Sequence, residues 1–197
     1  MKLDILAFGA HPDDVEMSCS GTLMKQIDAG RKVGIVDLTR GELGTRGSAE
    51  IRDQEAAAAA RIMGLSVREN LSMRDGFFLN DGAHQMKVIQ VIRKYQPELV
   101  FANAIEDRHP DHGRGADLIR DAAFKSGLRK IETADENGLP QPAWRPKKVF
   151  FYNQDRLLAP SFIVDISEYW ERKLACIRAY ASQFYDPNSS EPESSLP

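Results

Sequence analysis

Residues 3–16 read LDILAFGAHPDDVE. An apolar run that ends in small residues is followed at once by one imidazole and three carboxylates. Near-continuous apolar runs of this kind mark strands buried on both faces of a parallel sheet. In open α/β sheets, ligands bind beyond the carboxyl ends of the strands. The stretch therefore predicts a first strand over 3–10 and a chemically active turn directly after it.

Working outward, the chain alternates between two periods. KVGIVDLT (32–39), NLSMRD (70–75), ELVFAN (98–103), VFFYN (149–153) and FIVDIS (162–167) read as strands. Helices are predicted over 20–29, with Gly30 as the stop, and over the Ala-rich stretch 49–63, with Ser48 as N-cap and Gly64 as terminator. Further helices are predicted over 83–95, ending before Pro97, over about 114–125, and over 168–184. The glycine-bearing TRGELGTRGS (39–48) and the proline-rich 128–146 read as loops. Strand–helix repetition predicts an α/β fold, a Rossmann-like three-layer sandwich with a mainly parallel sheet. Residues 1–185 form one domain in this reading. Residues 186–197 are a polar, Pro/Ser-rich tail for which disorder or a loop is expected.

The 197 residues are 42% hydrophobic and 28% charged, which fits one globular domain. A net charge of −3 and a pI near 5.8 argue against a general nucleic-acid binder. No apolar run approaches the roughly 20 residues that cross a bilayer. Asp4 interrupts the N-terminal apolar stretch, and HPDD stands where a small-residue cleavage site would be, so a strand is expected there instead of a signal peptide. Cys19 and Cys176 make no disulfide framework, and reduced thiols in a cytoplasmic protein are expected.

Of the four histidines, three lie in two similar tetrads, His11-Pro12-Asp13-Asp14 and His109-Pro110-Asp111-His112. His84 is assigned no role. A catalytic zinc takes three protein ligands from imidazole nitrogen and carboxylate oxygen and keeps a position for water. His11 with Asp14, plus one histidine of the second tetrad, meets that count. The remaining carboxylate and histidine are left for proton transfer and charge stabilisation. Such a set suits hydrolysis of an amide or ester. The same ligand types also describe the facial triad of non-haem iron oxygenases, or a metal-binding module without catalysis. No GxGxxG follows the first strand and no GxSxG elbow is present, which disfavours a dinucleotide-binding domain and a covalent hydrolase.

The two tetrads in this order resemble the LmbE-like, or PIG-L, superfamily of zinc-dependent N-acetylglucosamine deacetylases. TRGELGTRGS, IRDQEAAAAA, NLSMRDG, FANAIEDRHPDHGR and YASQF resemble, more narrowly, its bacillithiol-biosynthesis branch. The resemblance spans residue 3 to about 185. It implies conversion of N-acetylglucosaminyl-malate to glucosaminyl-malate and acetate. It implies His11, Asp14 and His112 as Zn²⁺ ligands, which Fe²⁺ can also occupy. Asp13 matches the base that activates water. His109 matches the group that stabilises the oxyanion and protonates the leaving amine, and Asp111 the carboxylate that orients His109.

A substrate with an anionic aglycone calls for arginines, which bind carboxylates through two hydrogen bonds. Arg52, in a stretch resembling the family's substrate-contacting Arg-x-x-Glu, and Arg108 are the first candidates, followed by Arg46 in the glycine loop. Asn103 is expected to face the site from its strand end. Glu16 is expected to support the metal or its ligands. Family members often form hexamers, so the resemblance implies a homo-oligomer. They usually carry a further C-terminal segment ending in a helix, whereas this sequence stops at Ser-Leu-Pro.

Overall fold

The computed structural model describes residues 1–184. The tail expected over 186–197 lies outside the described residues. Strands β1 (Ile5–Gly9), β2 (Val33–Thr39), β3 (Val67–Met73), β4 (Leu99–Ala102) and β5 (Lys148–Phe151) form one sheet in the order β3-β2-β1-β4-β5. Every pairing is parallel. The order reverses between β1 and β4, the place where doubly wound sheets open a crevice for ligands.

Helices cover both faces. Leu6, Phe8, Val36, Leu38, Val100 and Ala102 point toward α4 (Gly82–Tyr95) and α5 (Pro110–Lys125), where they meet Val88, Ile92 and Leu118. The alternate residues Ile5, Ala7, Val33 and Ile35 pack beneath α1 (Asp14–Ser18), α2 (Ser20–Asp28), α3 (Ala49–Met63) and α6 (Trp170–Arg178). Burial on both faces is why β1 and β2 read as unbroken apolar runs. Each fully buried side chain such as Phe8 contributes roughly 1.5–3 kcal/mol.

Local signals set most boundaries. The Ser48 side chain accepts the Ile51 N–H and starts α3, and Gly64, at φ 79°, ends it. Asp81 caps α4, and Gln96 closes it in the left-handed region just ahead of Pro97.

Four expectations are corrected. The strand expected over 70–75 is β3 from Val67, because its charged residue Arg68 is held by acidic partners below and does not break the strand. The helix expected from about 114 begins at Pro110, with His109 as N-cap and proline in the first turn, where a missing N–H costs nothing. FIVDIS forms no strand. Ile163 is 84% exposed, while Ile166 lies against Gly21 of α2, where an added Cβ would sit 2.6 Å from Ile166 Cδ1, and Lys25 Nζ donates to the Asp165 carbonyl at 3.1 Å. The segment docks on a helix instead of extending the sheet. The helix expected over 168–184 is a 3-10 turn, Ser167–Tyr169, followed by α6, and its buried positions are Lys173 and Cys176.

Candidate active site

The first tetrad forms a tight turn. An added Cβ at Gly9 would lie 2.9 Å from the His11 carbonyl oxygen and 3.3 Å from Asp14 Cβ, so the chain can double back only over glycine. The His11 N–H donates to Asp14 Oδ2 at 2.9 Å. Between them Asp13 sits at φ 108°, ψ −26°, a costly backbone for a non-glycine residue. The turn is tied to both neighbouring strands. The Ala10 N–H donates to Asn103 Oδ1 at 2.9 Å, and Thr39 Oγ1 donates to the Ala10 carbonyl at 2.8 Å.

The second tetrad starts α5, so Asp111 and His112 lie in its first turn. The Asp111 N–H donates to His109 Nδ1 at 3.2 Å. Neutral His109 therefore carries its proton on Nε2.

The two tetrads meet. Asp14 Oδ1 is 3.1 Å from His112 Nε2, and Asp14 Oδ2 is 3.7 Å from His11 Nδ1. The His109 ring centre lies 4.8 Å from that of His11 and 5.0 Å from that of His112. Two groups bring one ligand atom per residue within 4.8 Å of each other: His11, His109 and His112, and His11, Asp75 and Asp111. Two imidazoles joined by a buried carboxylate, ringed by further acidic groups, are donors suited to a borderline divalent cation such as Zn²⁺ or Fe²⁺.

Each of these groups has a backing partner. His11 Nε2 lies 3.0 Å from Asp75 Oδ1 and 3.4 Å from Asp111 Oδ2. His112 Nδ1 lies 3.0 Å from Asp107 Oδ1. Asn103 Nδ2 donates to Asp14 Oδ2 at 2.9 Å, and Gln154 Nε2 to Asp14 Oδ1 at 3.0 Å.

The electrostatics follow from this packing. Burial alone would lower the His11 imidazole, but its bonds to Asp111 and Asp75 and the charge of Asp14 outweigh it and raise the pKa to about 10. Burial likewise opposes ionisation of Asp14, yet His112 and His11 hold its carboxyl well below the usual range. Asp13 goes the other way: burial raises it to about 7 against the pull of the Arg52 guanidinium. Burial, then the charges of His11 and His112, lower His109.

Several site expectations change. Asp111 does not orient His109 through its carboxylate, which is occupied by His11 Nε2, the Gly76 N–H and Arg114; its backbone N–H does that task. Asn103 is buried with its amide committed to Ala10, Asp14 and Gln154, so it holds Asp14 in place and does not present a free amide at the strand end. Arg52 is turned inward, donating to the Pro12 carbonyl at 2.6 Å and lying 3.4 Å from Asp13 Oδ2, beneath Gly41. Arg46 is buried and donates to the Phe184 carbonyl. Arg108 remains exposed, 3.7 Å from Asp155. Glu16 does not back the tetrad side chains; it binds Arg68 and accepts from Tyr180 Oη at 2.9 Å, tying α1 to β3 and to the segment after α6.

Asp75, Asp107 and Gln154 were not assigned from the sequence. Asp75 and Asp107 stand after strands, the position that could have flagged them; Gln154 follows β5 with no local signal. Cys19 and Cys176 are free and buried, and burial pushes them up to about 12 and about 11. Among the described residues no helix is long and apolar enough to cross a membrane.

An all-parallel α/β sheet with a His/Asp cluster at its switch point defines a class of protein that works at the strand ends. The family described as PIG-L, GlcNAc-PI de-N-acetylase, matches residues 6–123, and this chain belongs to it. The conserved protein TT1542 of Thermus thermophilus superimposes with a TM-score of 0.85 at 40% identity, over 92% of this chain and 80% of that one. Diacetylchitobiose deacetylase of Thermococcus kodakarensis is 28% identical over 190 residues, 91% of this chain and 70% of its own. The probable N-acetyl-alpha-D-glucosaminyl L-malate deacetylase 2 of Bacillus anthracis is 26% identical over 197 residues, 91% of this chain and 81% of its own.

Proposed function

We propose that this chain is a divalent-metal-dependent N-deacetylase of N-acetylglucosamine conjugates. Its proposed reaction converts N-acetylglucosaminyl-malate and water to glucosaminyl-malate and acetate, in the cytoplasm. The convergence of His11, Asp14 and His112, with Asp13 held between two of them in the sequence, carries the proposal. The anionic aglycone is supported by the relationship to the malate-conjugate deacetylase and by the exposed guanidinium of Arg108 beside the second tetrad.

His11, Asp14 and His112 would hold Zn²⁺ or Fe²⁺. Bound there, the cation supplies a water of lowered pKa and polarises the amide carbonyl. Asp13 takes the proton of the attacking water on its carboxylate, whose charged form Arg52 favours against burial. His109, neutral with its proton on Nε2, donates a hydrogen bond to the oxygen that gains charge. The proton on Asp13 then passes to the leaving nitrogen as the C–N bond breaks, giving acetate and the free amine. This assigns amine protonation to Asp13, in place of the His109 role drawn from the resemblance, because a neutral imidazole that gave up its Nε2 proton would be left as an anion.

The test is acetate release from N-acetylglucosaminyl-malate with and without chelator. Chelation should abolish release, and Zn²⁺ or Fe²⁺ should restore it. Full activity in the metal-stripped protein overturns the metal assignment, and no release from any N-acetylglucosaminide overturns the deacetylase.

A further inference from the structure

We infer that Asp75 and Asp107 select which imidazole nitrogen binds the cation, so that His11 ligates through Nδ1 and His112 through Nε2. The inference rests on reading the cluster as a cation site, and it adds two positioning residues from the loops after β3 and β4.

The geometry is asymmetric. His11 turns Nε2 to Asp75 at 3.0 Å and Asp111 at 3.4 Å, leaving Nδ1 toward Asp14. His112 is reversed: Nδ1 meets Asp107 at 3.0 Å, and Nε2 is 3.1 Å from Asp14. When a cation displaces one proton of such an imidazole, the nitrogen held by the backing carboxylate keeps its hydrogen and the other nitrogen supplies the lone pair, its basicity raised by that carboxylate.

Two competing ligand sets share His11, and the surrounding donors disfavour both. In the first, a cation among His11, Asp75 and Asp111 would use His11 Nε2. Each carboxylate there already accepts a backbone N–H. Asp75 Oδ2 takes the Leu43 N–H at 2.9 Å, and Asp111 Oδ2 the Gly76 N–H at 2.9 Å. Arg114 places a guanidinium on Asp111 Oδ1, and its charge would repel a cation. In the second, His109 would complete a set with His11 and His112, but its Nδ1 already accepts the Asp111 N–H.

Asp75 and Asp107 are themselves fixed. The Leu43 N–H holds Asp75 on the far side from His11. Asp107 accepts the His109 N–H on Oδ1 and the Asp155 N–H on Oδ2, each at 3.0 Å. Both carboxylates are thus positioned by backbone donors, independently of the imidazoles they face.

The test loads the full chain, labelled at its histidine nitrogens, with NMR-active cadmium and reads nitrogen–cadmium coupling. Coupling at His11 Nδ1 and His112 Nε2 is expected. Coupling at His11 Nε2 overturns the inference and leaves a cation site standing; no coupling at any histidine overturns the inference together with the reading of the site. The wild-type spectrum decides without any variant. Chelator competition adds a second measure: Asp75→Ala and Asp107→Ala should each weaken Zn²⁺ binding by about 10- to 100-fold, with Asp75→Glu recovering part of the loss. Unchanged affinity in folded Asp75→Ala overturns the role of Asp75.

Discussion

Arg52 and Asp13 face each other in the interior, with one guanidinium nitrogen 2.6 Å from the Pro12 carbonyl and 3.4 Å from Asp13 Oδ2. Both residues are almost fully buried. The pair gives Asp13, a carboxylate on a strained backbone beside another carboxylate, the neighbouring cation that the proposed base would need. Removing the guanidinium leaves Asp13 buried without its cation. Arg52→Met should therefore lower kcat by about 10- to 100-fold, the equivalent of losing one charged hydrogen bond. Metal content should be retained. Turnover with the folded variant, alongside elemental analysis, checks this; loss of metal would make Arg52 a support of the ligands and not of the base.

Adjacent carboxylates should separate cleanly by measurement. Asp14 contacts both imidazoles of the proposed ligand set, whereas Asp13 contacts Arg52. Asp13→Asn should keep the metal and lose about 10²- to 10⁴-fold in kcat, the usual worth of a positioned base. Asp14→Asn should lose the metal. Bound metal per chain distinguishes them, and the reverse pattern would exchange their roles.

Away from the reacting atoms, Arg68 joins Asp37, with Nε and Nη2 at 2.9 and 3.0 Å from its two oxygens, to Glu16. Burial raises the Asp37 carboxyl to about 6 even with Arg68 pulling it down. An acid whose folded pKa lies above its unfolded value penalises the native state when ionised. That penalty is complete above pH 6 and vanishes as pH falls toward 4. Arg68→Met removes the compensating cation, so it should destabilise by roughly 3–5 kcal/mol near pH 8 and by less near pH 5, where Asp37 is neutral. Urea unfolding at the two values tests the sign. Equal losses at both would show that Asp37 does not carry the effect.

Substrate preference should depend on Arg108, whose exposed side chain has an ion-pair partner only at 3.7 Å, in Asp155. A malate-linked N-acetylglucosaminide should outcompete an uncharged one in kcat/KM. Arg108→Ala should narrow that ratio by about two- to fivefold, the scale of one exposed charged contact, with little change on the uncharged sugar. Equal preference in the wild type would remove the malate assignment and leave a deacetylase of other conjugates.

Much of the architecture was legible in the chain because its signals are local. β1 and β2 are buried on both faces, so their apolar runs had no competing explanation. Ser48 and Gly64 bound α3 at the residues expected from capping chemistry alone. FIVDIS has the composition of a strand, but whether it pairs depends on a neighbouring edge, and the segment packs on α2 through Ile166 instead.

The same division holds for the site. The two tetrads were legible as the candidate site, since His, Pro and Asp at strand ends announce themselves by type and spacing. Only the tertiary structure decided what each group touches. It turned Arg46, Arg52 and Asn103 inward, replaced the Asp111 carboxylate by its backbone N–H as the partner of His109, and brought Asp75, Asp107 and Gln154 against His11, His112 and Asp14. These assignments are long-range hydrogen bonds between different loops. Their geometry is fixed by the sheet order β3-β2-β1-β4-β5, which no single stretch of sequence encodes.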